Sequence, residues 1–423
     1  MRRWLLFIAL LAAGPAAADT GSGDMPGLKL RGFGTLGAVH SDARGADFVS
    51  GFFEPNGAGH TRPWALGVDT KIAVQADATV SERLSAVLQV VSLHRYDNSY
   101  SPKIEWAFVK YQPTPELDIR IGRTVAKPFM ISDARLVGYA NVWVRPPQEV
   151  YGLVPITNKD GIDATYRLSL GGFVNSVHAS FGGTRLNLPG NGRVTAQNFM
   201  HLSDTVEYGP FTGRVAYSSG KVDLRTPSLD AVVDGYTTLG RNLSAFGFRA
   251  AAAQAQALAD RYQFRDAPIE VLALGASYDR GPWLWLAEAA RFNGHSVLAD
   301  STAWYVSGAY RVGSLTPYAT VARLQAERRS ETGVPLAGLP AALATPATTL
   351  NTGLNALIAG TRFAQRSMGV GLRWDFASDL ALKVQYDRLR LESDSSGRLG
   401  NVQPDMQRGG TVHVFSIALD FVF

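Results

Sequence analysis

Between Leu66 and Thr79 the chain alternates: Leu66, Val68, Thr70, Ile72, Val74 and Ala76 fall on one side of an extended segment, and Asp69, Lys71, Gln75 and Asp77 on the other. Strand side chains point alternately to two faces, so the pattern gives one face to apolar surroundings and the other to water. Sixteen such segments can be read, at roughly 28–40, 64–77, 84–94, 103–112, 116–123, 161–169, 173–182, 197–208, 212–221, 268–278, 283–293, 302–311, 316–326, 363–376, 381–392 and 411–423. Their connections alternate too. Short turns such as Pro113-Thr114-Pro115, Gly171-Gly172, Gly209-Pro210 and Gly281-Pro282 alternate with long loops at 41–63, 95–102, 124–160, 183–196, 222–267, 294–301, 327–362 and 393–410.

An even number of strands, with tight turns at one end and loops at the other, predicts an all-β fold: a transmembrane antiparallel β-barrel of sixteen strands, with short periplasmic turns and long extracellular loops. Lipid offers no hydrogen bonds, so a sheet crosses a bilayer only by closing on itself. After the leader, no run of 18 uncharged apolar residues exists, which excludes helical spans. Trp64, Trp106, Trp283, Trp285, Trp304 and Trp374 fall in or at the ends of the strands, where interfacial belts form.

Residues 1–18 read as a signal peptide: Arg2 and Arg3, an apolar run from Trp4 to Ala13, then Ala16-Ala17-Ala18. Its removal lowers the net charge from +5 to +3, too little to suggest nucleic-acid binding. The remainder, 19–423, reads as one barrel domain. With no cysteine, disulfides and thiol chemistry are excluded together.

In the last segment Phe415, Ile417, Leu419, Phe421 and Phe423 share a face, against Ser416, Ala418 and Asp420. Ser416, Ala418, Phe421 and Phe423 together resemble the C-terminal assembly signal of bacterial outer-membrane proteins. With the stretches Leu28–Gly34, Trp106–Arg123, Lys127–Tyr151, Arg373–Phe376 and Lys383–Asp387, the chain resembles the Gram-negative porin family, in its porin-like branch. It departs from the best-known general porins in lacking Pro-Glu-Phe-Gly in loop three. The resemblance implies a homotrimer in the outer membrane, with the bilayer, periplasmic chaperones and the outer-membrane assembly machinery as partners. Loop three, 124–160, would fold into the lumen.

The expected constriction comprises Lys127, Asp133, Arg135, Tyr139, Trp143, Arg145 and Glu149, stiffened by Pro146 and Pro147. Pore-wall candidates are Asp69, Lys71, Arg120, Arg373 and Lys383, with Lys29, Arg31, Gln75, Asp118, Asp375, Gln385 and Asp387 on the same faces. Whether the loop's charges face the lumen or pair within the loop stays open. Chemistry beyond transport finds little support. The seven histidines are scattered, His201 and Ser203 lack an evident third member, and no run carries zinc, calcium or phosphate-loop spacing. Neither cofactor nor metal is expected, and no enzyme activity.

The function expected is passive diffusion of small hydrophilic solutes or ions, with a slight preference for anions. It rests on Lys127, Arg135, Arg145 and Lys159 outnumbering Asp133, Glu149 and Asp160. One alternative is a specific channel for sugars or aromatic acids sliding on Tyr139, Trp143 and Tyr151. Another is a barrel-scaffolded surface enzyme or adhesin. Helical stretches are expected at 241–263 and 350–358 as small rim structures, with Gly333 to Thr349 mobile.

Overall fold

The computed structural model describes residues 27–423; the expected signal peptide lies outside them. Sixteen long antiparallel strands form the wall: β1 Leu28–Ser41, β2 Lys71–Ser81, β3 Leu84–Leu93, β4 Lys103–Tyr111, β5 Leu117–Val125, β6 Asn158–Leu170, β7 Phe173–Leu188, β8 Gly192–Tyr208, β9 Phe211–Arg225, β10 Ala267–Arg280, β11 Trp283–Asn293, β12 Ser301–Tyr310, β13 Leu315–Ala326, β14 Gln365–Ala377, β15 Leu380–Leu391 and β16 Gly410–Val422. Each pairs with its neighbours in sequence, and β1 also pairs with β16, closing the sheet. The strands, of 9 to 17 residues, meet the roughly 9–11 that a tilted strand needs to cross a bilayer. Among the described residues no helix is long and apolar enough to do so.

The distribution of side chains inverts that of a soluble sandwich. Val74, Leu272, Leu274, Met368 and Val370 lie on the outside, while Glu288, Lys383, Asp387 and Asp420 point inward. Aromatics including Trp283, Trp374, Phe173, Tyr208 and Phe211 are exposed beside the short turns. Trp106 is a correction. A bulge leaves Glu105 unpaired and sets Trp106 opposite Gln89, whose amide bonds to Gln75 inside the barrel, so Trp106 turns inward. The turn between β6 and β7 needs two left-handed residues, supplied by Gly171 (φ 53) and Gly172 (φ 91).

Closure depends on a second glycine pair. Gly32 and Phe423 exchange two backbone hydrogen bonds, 2.7 and 3.0 Å. A Cβ at Gly32 would lie 2.1 Å from the Phe423 ring, and one at Gly34 would lie 2.3 Å from that of Phe421. The missing side chains let both rings lie flat across the seam.

Three expectations about loops change. The segment expected as a strand over 64–77 pairs only at Trp64–Ala65 and from Lys71 onward. Between them Thr70 leaves the ladder and accepts from Gly37 N–H at 3.0 Å. The loop expected at 183–196 is ladder instead, because β7 and β8 continue to a turn at Pro189–Asn191; a register shift between Gly182 and Thr184 hides their alternation. The helices are larger than expected: α2 Pro227–Ala245 packs on both α3 Arg249–Tyr262 and α4 Ala341–Gly360, in a core that includes Tyr236, Leu243, Leu258 and Leu354. The stretch expected to be mobile supplies the first half of α4. Pro346 removes one N–H there, and the surrounding alanines, the best helix formers, sustain the turn.

Candidate functional site

Loop three occupies residues 126–157, since Thr124, Lys159 and Asp160 belong to β5 and β6. Lys159 therefore leaves the loop's charge count: its ammonium donates to Thr124 Oγ1 at 2.9 Å, 3.7 Å from Asp163. Pro128, Pro146, Pro147 and Pro155 deny the segment the N–H groups a strand needs, so it crosses the lumen as irregular chain. Exposed carbonyls and amides inside a barrel need partners. The far wall supplies them.

Lys383 on β15 is the principal clamp. Its ammonium donates to the carbonyls of Gly138 (2.7 Å), Asn141 (2.6 Å) and Trp143 (2.9 Å) and lies 2.8 Å from Asp420 on β16. Three protons thus meet four acceptors, and the ammonium is wholly buried. Thr35 on β1 donates to Asp420 at 2.5 Å. Gly138 fits between them only because it has no Cβ, which would sit 2.1 Å from the Asp420 carboxylate. Arg373 on β14 donates to the carbonyls of Tyr139 (2.6 Å) and Asn141 (2.9 Å), pairs with Asp375 at 2.8 Å and lies 4.8 Å over the Tyr139 ring.

Further along, Trp143 donates to Ser307 Oγ (2.8 Å) and Thr320 Oγ1 (3.0 Å) on β12 and β13. Val144 N–H donates to Gln385 at 3.1 Å. Arg145 donates to both oxygens of Asp69 (2.9 and 2.6 Å) and to Ser416 Oγ (2.7 Å), with Asp387 at 3.6 Å. Glu149, in the single-turn helix α1 Gln148–Tyr151, accepts from Gln365 on β14 at 2.7 Å. The Glu288 carboxylate on β11 accepts from Tyr151, from Tyr305 at 2.8 Å and from Met130 N–H at 2.8 Å.

Several expectations are corrected here. Arg145 and Glu149 do not pair inside the loop; they bind the wall and are buried, Arg145 only edging the open space. Arg373 and Lys383 likewise hold the loop's backbone. Trp143 and Tyr151 are packing anchors, and Tyr139 lies under Arg373, so none of the three offers solutes a sliding surface. Only Lys127 and Asp133 pair within the loop, at 3.6 Å. Arg120 sits apart on β5, bonded to Asp118 at 3.1 Å. His201 bonds to Ser218 at 2.8 Å rather than to Ser203.

The open space is a cavity of about 800 Å³ between loop three, the wall from β2 to β5, the turn of β7 and the loops at 49–55 and 396–402. Lys71, Arg95, Lys103, Arg123, Arg135, Arg145, Arg185 and Arg398 line it against Glu54, Asp69 and Glu105. Asp69 is neutralised by Arg145. Burial raises the Glu54 pKa to about 8, leaving that carboxyl mostly uncharged at neutral pH. Arg135 donates to Val154 O at 3.0 Å and meets no carboxylate among the described residues. Phe52, Phe363, Glu54 and Arg398, all at this cavity, escaped the sequence reading. Phe52, Glu54 and Arg398 sit in loops without periodicity, Phe363 stands just before the strand it was expected to open, and only the fold brings them together.

A closed barrel with a charged lumen narrowed by an inward loop defines an outer-membrane channel. Residues 5–329 match the Gram-negative porin family, and the chain belongs to that family. Comparison with curated proteins gives no match. Among solved structures the chain is similar in fold to the OmpF–daunomycin complex of Salmonella typhi (14% identity, TM-score 0.54, covering 94% of this chain and 97% of that one). The outer-membrane channel DcaP of Acinetobacter baumannii is similar at 11% identity and TM-score 0.54, covering 94% and 98%. The anion-selective porin of Comamonas acidovorans is similar at 11% and 0.53, covering 94% and 99%.

Proposed function

We propose that this porin lets small hydrophilic solutes diffuse passively through a water-filled pore and that it prefers anions, with no catalytic step. The carrying observation is the charge of the cavity above loop three. With Arg145 and Asp69 set aside as a pair and Arg123 held by Asp160, the remaining basic groups still outnumber the acidic ones, of which Glu54 carries its own proton. Positive potential in a narrow aqueous passage concentrates anions and repels cations. This differs from the sequence reading in its source: the excess lies on the wall and outer loops as much as on loop three. The reading extends to a homotrimer, and to Ser416, Phe421 and Phe423 as the assembly signal used by the biogenesis machinery. Reversal potentials of the purified porin in a planar bilayer under a KCl gradient test the selectivity. Chloride preference is expected; equal permeability or cation preference overturns it.

A further inference from the structure

Two half-buried arginines at the cavity, Arg135 and Arg398, make no ion pair among the described residues. The Arg398 side chain donates no hydrogen bond among the described residues, and its Nε is buried without a partner. Arg135 has only the Val154 carbonyl and lies 5.8 Å over the Tyr151 ring. Burial holds both down to about 10, and for Arg398 the charge of Arg135 adds to the effect while Glu149 opposes it. Buried guanidinium groups are ordinarily paired, because desolvating an uncompensated charge is expensive. Two neighbouring ones, without a carboxylate partner among the described residues and lining the cavity, form a receptor for an anion.

Their setting narrows which anion. The Arg398 guanidinium lies 5.0 Å over the Phe363 ring, and Gly152 approaches so closely that a Cβ there would be 2.9 Å from Cζ. Phe363 meets Phe52 edge-on at 5.9 Å, Phe52 meets Phe53 likewise at 5.9 Å, and Phe52 is 46% exposed. Phenyl edges and faces beside a planar fork of donors suit a flat ring carrying a carboxylate. A sugar would need acceptors as well as donors, and a small inorganic anion would gain nothing from the rings.

We propose that the vestibule binds an aromatic carboxylate, its carboxylate between Arg135 and Arg398 and its ring against Phe363 and Phe52. The proposal rests on the anion-preferring channel above and specifies its substrate class. The cavity is within the roughly 300–1,000 Å³ typical of small-molecule sites.

Benzoate, acetate and benzyl alcohol, titrated separately against chloride current through the reconstituted porin, test it. Benzoate should half-block at a concentration about tenfold below acetate, equivalent to about 1.4 kcal/mol, and benzyl alcohol should not block. Arg398→Gln should raise the benzoate value about tenfold, the scale of one charge-assisted hydrogen bond. Phe363→Ala should bring benzoate to the level of acetate; Phe52→Ala, at an exposed ring, serves if that variant fails to insert. Equal block by benzoate and acetate in the unmodified porin, or a ratio unmoved by removing either ring, overturns the site. Chloride preference with no such discrimination sinks this inference alone, whereas cation preference sinks the channel reading with it.

Discussion

Arg145 and Arg398 line the same cavity and carry the same group, yet their surroundings differ throughout. Burial pulls the Arg145 pKa down, but the Asp69 carboxylate beside it outweighs that and raises it, with Asp387 in support. Burial takes the Arg398 pKa down to about 10; the Glu149 carboxylate opposes the fall and Arg135 adds a little to it. The first arginine uses its Nε and Nη2 to hold loop three to the wall, and its Nη1 makes no hydrogen bond but lies 3.6 Å from Asp387. The second is held by a ring and a glycine, with its donors free. Charge in a pore is thus of two kinds, one that fixes the passage and one that acts on what passes. Hydrogen-bond partners separate them where sequence does not.

Breaking the paired side should have the largest effect. Asp69→Ala strands Arg145 in a buried site, a loss of about 3–5 kcal/mol. It should lower the temperature at which the folded band shifts on a gel and enlarge single-channel conductance as loop three loosens. An unchanged transition would return Arg145 to the open lumen. Gly138→Ala should cost less, about 1–3 kcal/mol as for overpacking, since its Cβ meets Asp420 and Thr35; current fluctuations should rise with it. Arg398→Ala, on the unpaired side, should change stability by about 1 kcal/mol or less, yet move the reversal potential toward cations. If it destabilises as much as Asp69→Ala, the distinction between the two arginines fails.

The smallest effect concerns Glu54. Its folded pKa, about 8, lies above the unfolded value of 4.5 because burial disfavours the ionised form. Between those values the fold binds the extra proton, so stability falls as pH rises from about 4.5 to 8 and levels off above. Over the same range the vestibule gains a negative charge. Anion preference should therefore weaken between pH 6 and 9, and Glu54→Gln should flatten that part of the profile. A profile identical in both proteins would remove Glu54 from the pore.

The wall was legible because period-2 alternation survives wherever one face meets lipid, as at Ile72, Val74 and Ala76. It failed where the ladder is irregular: at Thr70, where a side chain replaces a strand bond; at Glu105, where a bulge reverses Trp106; and along β7 and β8, where a register shift breaks the parity. Loop three was legible as an interruption with prolines and both charge signs. The fate of its charges was not, because Asp69, Asp387 and Gln365 lie 76, 242 and 216 residues from Arg145, Arg145 and Glu149 respectively. Nothing local marks such partners. Arg398 sat in a stretch read as a variable loop, Phe363 at the start of a segment read as strand, and the glycines at 32 and 34 carried no evident purpose until the terminal rings were laid over them.

That seam has a consequence for how the passage comes to exist. The clamp on Gly138 joins Thr35 of β1 to Asp420 of β16, the two strands that meet only when the sheet closes. While they are apart, the turn at Gly138 has half a socket on each edge and nothing to sit in. An unzipped sheet is then not a wide pore awaiting a plug but an open gutter without a gate. Resistance to flow arrives in the same step in which the sheet loses its edges.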